Sequence, residues 1–281
     1  MWNKRSEEIR SWMLEDGFGD VESYWQSLPV TPARCALKIK SDLRLAGLPF
    51  FVAVFDHLQP GLESQFASLL EWEGQRCAAG TVIELPAPLA WRTAISGERL
   101  ALNLLHRASS VATATEKLAS RARAKGILLL DTRKTTPGLR ALEKYAVRVG
   151  GGANHRFTQV DAWMIKDNHK DLMGLRGAVE FFRQQAQPYK SLIVEIHSLD
   201  ELAEARSYGV THFLLDNFTH QMLQTACAQK KPGEFFEVSG GIREDTIDQF
   251  LVPGVDAVSS GMITQFPAAV DISFKFKAVD A

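Results

Sequence analysis

The chain has 281 residues, and its 32 lysine and arginine residues nearly cancel its 33 aspartate and glutamate residues. This length allows one large α/β unit, a smaller domain and a substantial buried core. The charge balance excludes a broadly basic surface for nucleic acid, so any basic site must be local. No run reaches the ~20 apolar residues of a membrane span, and the charged N-terminus lacks the apolar stretch of a signal peptide.

The cysteines indicate the compartment. Cys35, Cys77 and Cys227 are scattered, and their spacing matches neither a disulfide framework nor a zinc motif. We therefore expect a cytoplasmic protein with reduced, structural thiols and with neither a membrane nor a nucleic-acid partner.

The first third of the chain predicts short helices and strands in alternation. Apolar residues recur at helical spacing in some segments, whereas others are short apolar runs typical of strands. In chain order these are a helix at 6–14, strands at 35–40 and 50–55, a helix at 60–73 and a strand at 80–85.

A long segment without proline, from Ser96 to Lys125, predicts one amphipathic helix. Leu100, Leu104 and Val111 fall on roughly one face of this helix. By spacing alone, Arg99 is a solvated charge on the solvent-exposed face of this helix. We place the boundary between a first and a second domain on this helix.

Beyond Gly126 the sequence predicts a repeated strand-and-helix pattern. The number of strands is close to the eight of a closed (β/α) barrel but one short. The final segment, 270–278, alternates like a strand and is predicted to return to the first domain. The predicted barrel strands are 126–131, 146–151, 162–167, 191–196, 211–216, 235–240 and 256–261.

Five potential cations cluster between Asp131 and His169, close to the ends of predicted strands. In barrel enzymes the chemistry lies where strands end and loops begin. Several cations at such a rim indicate an anionic ligand. These residues are Arg133, Lys134, His155, Arg156 and Lys166.

Two acidic residues, Glu195 and Asp216, each close an apolar strand. Their carboxylates should therefore lie on the same rim as the cations. They could contact ribose hydroxyls or bind Mg²⁺, or they could form ion pairs with nearby Arg and Lys; the residues alone leave both interpretations open.

Glycine-rich segments follow the last two predicted strands, at Ser239-Gly240-Gly241 and at Gly261. Backbone N–H groups in such segments can approach a phosphate closely. The same glycines also suit ordinary turns, and both interpretations remain open.

Several blocks of this sequence together resemble the quinolinate phosphoribosyltransferase family over nearly the whole chain. The resemblance implies transfer of a phosphoribosyl group from phosphoribosyl pyrophosphate to quinolinate, with decarboxylation to nicotinate mononucleotide in NAD biosynthesis. The blocks are TRKTTPGLR (132–140), GGG with NHR (150–156), IKDNH (165–169), VEI (194–196), LLDN (214–217), SGGI (239–242) and VDAVSSG (255–261).

The resemblance also implies the fold and the assembly. We expect an N-terminal α/β sandwich domain at 1–108, joined by the tail 267–281, and a seven-stranded open α/β barrel at 109–266. GERLALN resembles a family segment in which the arginine enters the neighbouring subunit's active site. Arg99 is therefore expected to act across a homodimer with shared sites.

Position by position, the family motifs assign roles to the candidate residues. Arg133, Arg156 and the partner's Arg99 would clamp the quinolinate carboxylates, helped by His155 and Lys166, while Lys134 would meet the pyrophosphate. Glu195 and Asp216 would act on the ribose or on Mg²⁺, and with Lys166 they are the expected catalytic residues. Ser239, Gly240, Gly241 and Gly261 would hold the 5′-phosphate.

The chain departs from the family pattern at 157–159, at Ile193 and at 265–266. These departures concern the outer wall of the pocket and substrate preference. Two alternatives are a related phosphoribosyltransferase for another aromatic acid and a non-catalytic sensor of a sugar phosphate or dicarboxylate.

Overall fold

The computed structural model describes residues 2–17, 27–185 and 189–278. The chain forms two compact units, one with Met1–Ala114, Ala141–Gly150 and Pro267–Ala281, the other with Thr115–Arg140 and Gly151–Phe266. The division falls within the long helix, somewhat later than the sequence-based boundary at residue 108. The first unit also takes in Ala141–Gly150, which the sequence-based boundaries assign to the barrel.

The helices and strands of the described residues have the following bounds. The helices are α1 (Trp2–Glu15), α2 (Leu48–Leu58), α3 (Leu62–Gln65), α4 (Trp91–Arg123), α5 (Arg140–Val149), α6 (Asp167–Gln184), α7 (Leu199–Ser207), α8 (His220–Ala228) and α9 (Met262–Gln265), with 3₁₀ turns at Ala67–Trp72 and Ile247–Phe250. The strands are β1 (Pro32–Ile39), β2 (Leu43–Arg44), β3 (Arg76–Cys77), β4 (Val82–Glu84), β5 (Leu89–Ala90), β6 (Leu128–Leu130), β7 (Trp163–Ile165), β8 (Leu192–Ile196), β9 (His212–Asp216), β10 (Phe235–Ser239), β11 (Ala257–Ser259) and β12 (Ile272–Ala278).

The first unit is built on an antiparallel sheet of order β12-β1-β4, with β5 also paired to β1. Alternate residues of β1 are buried, as expected for a strand with one face on the core. Phe274 of β12 packs its ring against Phe51 and Phe55. The prediction that the tail returns as a strand to this unit is confirmed.

The predicted strand at 50–55 is wrong, because these residues lie in helix α2. Six of the helix's eleven residues are buried, so a nearly continuous apolar run is compatible with either structure. The backbone N–H groups of Gly47 and Leu48 each donate to the Glu73 carboxylate at 2.8 Å, which satisfies the helix start. The helix predicted at 60–73 is present as α3 followed by a 3₁₀ turn.

The second unit contains six parallel strands in the order β6-β11-β10-β9-β8-β7. Helices follow most of these strands, as expected for an α/β unit. The predicted strand at 146–151 is wrong, because its first four residues complete α5. A single parallel bridge joins Leu130 to Ala153 beside β6, where the extended chain enters the sheet edge for one residue.

All three cysteines are free thiols, and burial raises the pKa of Cys35 to about 11. Within residues 2–17, 27–185 and 189–278, no helix is both long and apolar enough to cross a membrane.

A buried ion pair outside the cavity gives a stability prediction. Arg206 Nε and Nη2 donate to the two carboxylate oxygens of Glu234 at 2.7 and 2.8 Å. Burial alone would raise the pKa of Glu234, but the bonds from Arg206 and from the Lys231 backbone outweigh it and lower the pKa below 4.5. The stabilisation is therefore fully present above about pH 4.5 and is lost as pH falls through the folded-state value.

We expect Glu234→Gln to reduce the free energy of unfolding by about 1–3 kcal/mol near neutral pH. The difference from the wild type should shrink in acid, because the wild-type carboxylate then becomes protonated. Thermal unfolding of both proteins between neutral and acidic pH measures it. An unfolding difference that does not change with pH would contradict the role of this pair.

Candidate active site

A cavity of about 750 Å³ opens in the second unit at the carboxyl ends of its strands. Its lining includes every sequence-predicted site residue of this unit. Arg99 lies on α4 within the first unit and is not among the lining residues. The predicted residues brought together are Arg133, Lys134, His155, Arg156, Lys166, Glu195, Asp216, Ser239, Gly240, Gly241 and Gly261.

The strand register determines which side chains share the cavity floor. Glu195 is paired in register with Leu214, and Leu214 is paired with Glu237. Two residues further along, Asp216 is paired with Ser239. Because side chains two residues apart on a strand point to the same face, these positions form a lower and an upper row of the same wall.

Two of the three arginines that line the cavity, Arg133 and Arg156, are partly removed from water. The Nε of Arg133 is buried and has no hydrogen-bond partner among the described residues. Arg156 donates from Nη1 to the Ala162 carbonyl at 3.1 Å. The pKa of Arg156 is lowered mainly by burial and, to a smaller extent, by the positive charge of Arg133. Two neighbouring guanidinium groups with unused donors are suited to a carboxylate or phosphate.

A buried carboxylate holds the segment that carries His155 and Arg156. Asp131, at the end of β6, is fully buried. It accepts a hydrogen bond from the Asn154 side chain and one of 2.9 Å from the backbone N–H of His155. Bonds of this kind to an ionised acceptor are among the stronger ones in proteins. The cations at 155–156 are thus fixed to the same strand end that leads to Arg133.

Lys166 and Glu195 form an ion pair within the cavity. Lys166 precedes α6 and is 47% exposed, whereas the Glu195 side chain is 9% exposed. The ion-pair interpretation of Glu195 is therefore realised in this structure. Its other oxygen, Oε1, lies 3.7 Å from Nε2 of His197.

Asp216 is held by side chains of its own rim. Its carboxylate accepts hydrogen bonds from Ser239 Oγ and, at 2.6 Å, from Asn217 Nδ2. Asn217 has a positive φ of 54°, which is uncommon for a residue other than glycine. Gly240 packs directly against Asn217, so the glycine segment and the acid form one connected structure.

Oxygen ligands at this rim fit a divalent cation. Mg²⁺ is bound in proteins through one or two carboxylates together with substrate phosphates, and Glu195 and Asp216 offer such groups. One ligand atom each of Asp167, Glu195 and His197 lie within 4.8 Å of one another. The charge of this group is already balanced in part, because Lys170 lies 3.0 Å from the Asp167 carboxylate.

Sequence reasoning missed four residues near this rim. One of them, Glu237, lies two residues from Ser239 on the same strand face, a relation that can be used only once the register is known. The others lie in loops after strands and carry no pattern of their own. The missed residues are Glu237, Asn217 and Arg243, which line the cavity, and His197, which contacts Asp167 at 2.7 Å.

A parallel-stranded α/β unit with a cationic cavity at its strand ends and a glycine-lined rim defines a barrel-type enzyme for anionic substrates. The family profile described as "Quinolinate phosphoribosyl transferase, C-terminal domain" matches residues 111–275. The chain belongs to the quinolinate phosphoribosyltransferase family.

Named relatives are similar in sequence to this chain over most of their length. The nicotinate-nucleotide pyrophosphorylase [carboxylating] of Homo sapiens is 38% identical over 96% of this chain and 91% of its own. The probable enzyme of this name from Bacillus subtilis is 37% identical over 94% and 91%. The crystal structure of NadC from Streptococcus pyogenes is 32% identical, with both chains fully covered and a TM-score of 0.88.

Proposed function

We propose that this chain is an enzyme that transfers the phosphoribosyl group of phosphoribosyl pyrophosphate to quinolinate. The products are nicotinate mononucleotide, pyrophosphate and carbon dioxide, in the de novo synthesis of NAD. The observation that carries the proposal is the cavity itself, which gathers the five predicted cations, the two predicted acids and the glycine segments at one rim. The names of the relatives support the same reaction.

In this proposal the cationic side of the cavity holds the aromatic acid. Arg133 and Arg156 would each present a planar fork to a quinolinate carboxylate. Lys166 would add a compact charge, and His155 would stand beside them, while Lys134 would face the pyrophosphate. The fixed donors hold two polyanions together, so a large part of the catalysis is orientation.

The two acids and the glycine segments would hold the sugar phosphate. Breaking the ribose–pyrophosphate bond builds positive charge on the sugar, which the carboxylates of Glu195 and Asp216 stabilise. Ser239, Gly240, Gly241 and Gly261 would receive the 5′-phosphate through backbone N–H groups. Mg²⁺, when bound by Glu195 and Asp216, would supply charge neutralisation at the pyrophosphate.

Decarboxylation needs no further cofactor in this scheme. The ring nitrogen forms its bond to the sugar carbon as pyrophosphate leaves, which makes the ring a pyridinium. The electrons of the breaking carbon–carboxylate bond then remain on the electron-poor ring, and a proton replaces the released carbon dioxide.

The function is tested by mixing the protein with quinolinate, phosphoribosyl pyrophosphate and Mg²⁺. Pyrophosphate, carbon dioxide and nicotinate mononucleotide should appear in equal amounts. Nicotinate in place of quinolinate separates a related phosphoribosyltransferase, since only quinolinate can lose carbon dioxide. Tight binding of both substrates without pyrophosphate release under varied metal conditions would instead identify a sensor and overturn the proposal. The proposal includes a cytoplasmic location.

We further propose a homodimer in which Arg99 completes the partner's site. Arg99→Ala and Lys166→Ala should each be nearly inactive, because each lesion removes a cation from the same composite site. In hybrids, one site then carries both lesions and the other carries neither. Joint refolding of equal amounts should therefore recover about one quarter of wild-type activity.

The matched control mixes Arg133→Ala with Lys166→Ala. Both residues line the cavity of one subunit, so every site in these hybrids keeps one lesion and no recovery is expected. Equal recovery in both mixtures, or none in either, would contradict the shared site. Sedimentation of the wild type measures the oligomeric state independently.

A further inference from the structure

A buried carboxylate lies among the cations of the cavity. Glu237, on β10, is 4% exposed and lines the cavity. Its Oε2 lies 3.2 Å from Nε2 of His155. A negative charge in an anion-binding cavity opposes ligand binding, so its presence requires a compensating benefit. The proposed function assigns no substrate contact to Glu237.

The hydrogen bonds around His155 determine which ring nitrogen carries the proton. The backbone N–H of Arg156 lies 2.6 Å from Nδ1 of His155, and an N–H can only donate. Nδ1 therefore accepts and is unprotonated. In a neutral imidazole the proton then lies on Nε2, the nitrogen that faces Glu237. Nδ1 is thus occupied by the backbone, and Nε2 faces the Glu237 carboxylate at 3.2 Å.

The same arrangement acts on the neighbouring arginine. The residue whose N–H the imidazole accepts is Arg156, one of the three arginines that line the cavity. Arg133 repels this guanidinium, whereas the charges of Asp161 and Glu237 attract it. The Glu237 carboxylate lies 3.2 Å from the imidazole that accepts the Arg156 N–H, and its charge offsets part of the repulsion between Arg133 and Arg156.

We propose that Glu237 is a positioning residue: by accepting the Nε2 proton of His155, it holds the 155–156 segment so that Arg156 faces the aromatic acid beside Arg133. This inference rests on the proposed function for the identity of the acid. It assigns His155 an internal structural role in place of direct donation to a substrate carboxylate.

Two conservative variants separate the hydrogen bond from the charge. Glu237→Gln removes the charge but keeps an oxygen that can accept from Nε2. Glu237→Asp keeps the charge, but its side chain is one methylene shorter. The carboxylate should therefore no longer reach the imidazole, which lies 3.2 Å from Glu237 in the wild type. We expect Glu237→Asp to raise KM for quinolinate about 10-fold or more and Glu237→Gln to raise it less, with KM for phosphoribosyl pyrophosphate nearly unchanged.

A spectroscopic readout tests the tautomer without turnover. Nitrogen NMR of histidine-labelled protein should place Nδ1 of one of the seven histidines among unprotonated nitrogens and its Nε2 among protonated ones. The resonance pair is assigned by its loss in His155→Asn. It should persist in Glu237→Gln and shift or broaden in Glu237→Asp. Glu234→Gln is the matched control, a buried paired glutamate outside the cavity that should leave the tautomer and both KM values unchanged.

The outcomes are distinguishable from those of the functional assay. Quinolinate binding by calorimetry and the tautomer are both measured without catalysis. Absence of pyrophosphate release in the wild type would therefore contradict the proposed function and would leave the positioning role of Glu237 to be judged by these two measurements. A wild-type His155 protonated at Nδ1 would overturn the positioning role. A greater loss in Glu237→Gln than in Glu237→Asp would also overturn it, because charge rather than the hydrogen bond would then be the property used.

Discussion

Arg133→Ala should lower kcat/KM for quinolinate by about 10²–10³-fold while leaving the protein folded. Arg133 lines the cavity, and its buried Nε has no hydrogen-bond partner among the described residues, so this donor is not committed to the protein. The alanine variant lacks the planar guanidinium group, which can make two parallel hydrogen bonds to a carboxylate. Because the side chain does not fill the apolar core, the loss should be chemical and not structural.

The measurement is steady-state kinetics, with far-ultraviolet circular dichroism and thermal unfolding as checks on the fold. Arg133→Lys should recover only part of the activity, since it restores charge without the planar fork. Arg176→Ala is the matched control, an exposed arginine of α6 paired with Glu180 and away from the cavity lining. Near-normal turnover of Arg133→Ala would remove this residue from the site.

Gly240→Ala should impair both stability and use of phosphoribosyl pyrophosphate. Gly240 has a φ of 97°, and a Cβ there would lie 2.2 Å from Oδ1 and 2.9 Å from the backbone nitrogen of Asn217. The chain must therefore shift at the rim that also carries Asp216. Strained backbone of this kind costs about 1–3 kcal/mol before the collision is counted. We expect a lower unfolding midpoint and a KM for phosphoribosyl pyrophosphate raised at least about 10-fold.

Gly241→Ala is the natural comparison for this prediction. Gly241 also has a positive φ, of 64°, but an added Cβ would meet no atom within 4 Å. Its substitution should cost only the left-handed backbone preference, about 1–2 kcal/mol, with a smaller kinetic effect. Equal behaviour of the two alanine variants would show that the contact with Asn217 is unimportant for the rim.

The sequence predicted six of the second unit's strands because each is an apolar run that ends at a polar loop. That pattern failed twice for one physical reason. In α2 and at the end of α5, apolar residues are buried within helices, and a short buried run has no periodicity to separate the two structures. Only the tertiary contacts, such as the Glu73 carboxylate at the start of α2, decide between them.

That the predicted residues of the second unit line one cavity was easier to predict than the individual strands, because cations and acids at strand ends meet at one edge whatever the strand order. Glu237 was missed since a glutamate within an apolar strand does not announce which face it occupies. His197 was missed because it follows the end of β8, in a loop that carries no pattern of its own. The pairing of Glu195 with Lys166 also depends on a geometry that spacing does not contain.

The position of β12 has a consequence for the synthesis of the protein. β1, near the start of the chain, pairs along its length with β12, near its end, and β1 lies between β12 and β4 in the sheet. During translation this sheet therefore lacks one side until β12 has left the ribosome. All strands of the second unit are available earlier, so that unit can fold vectorially while the first waits for its last strand.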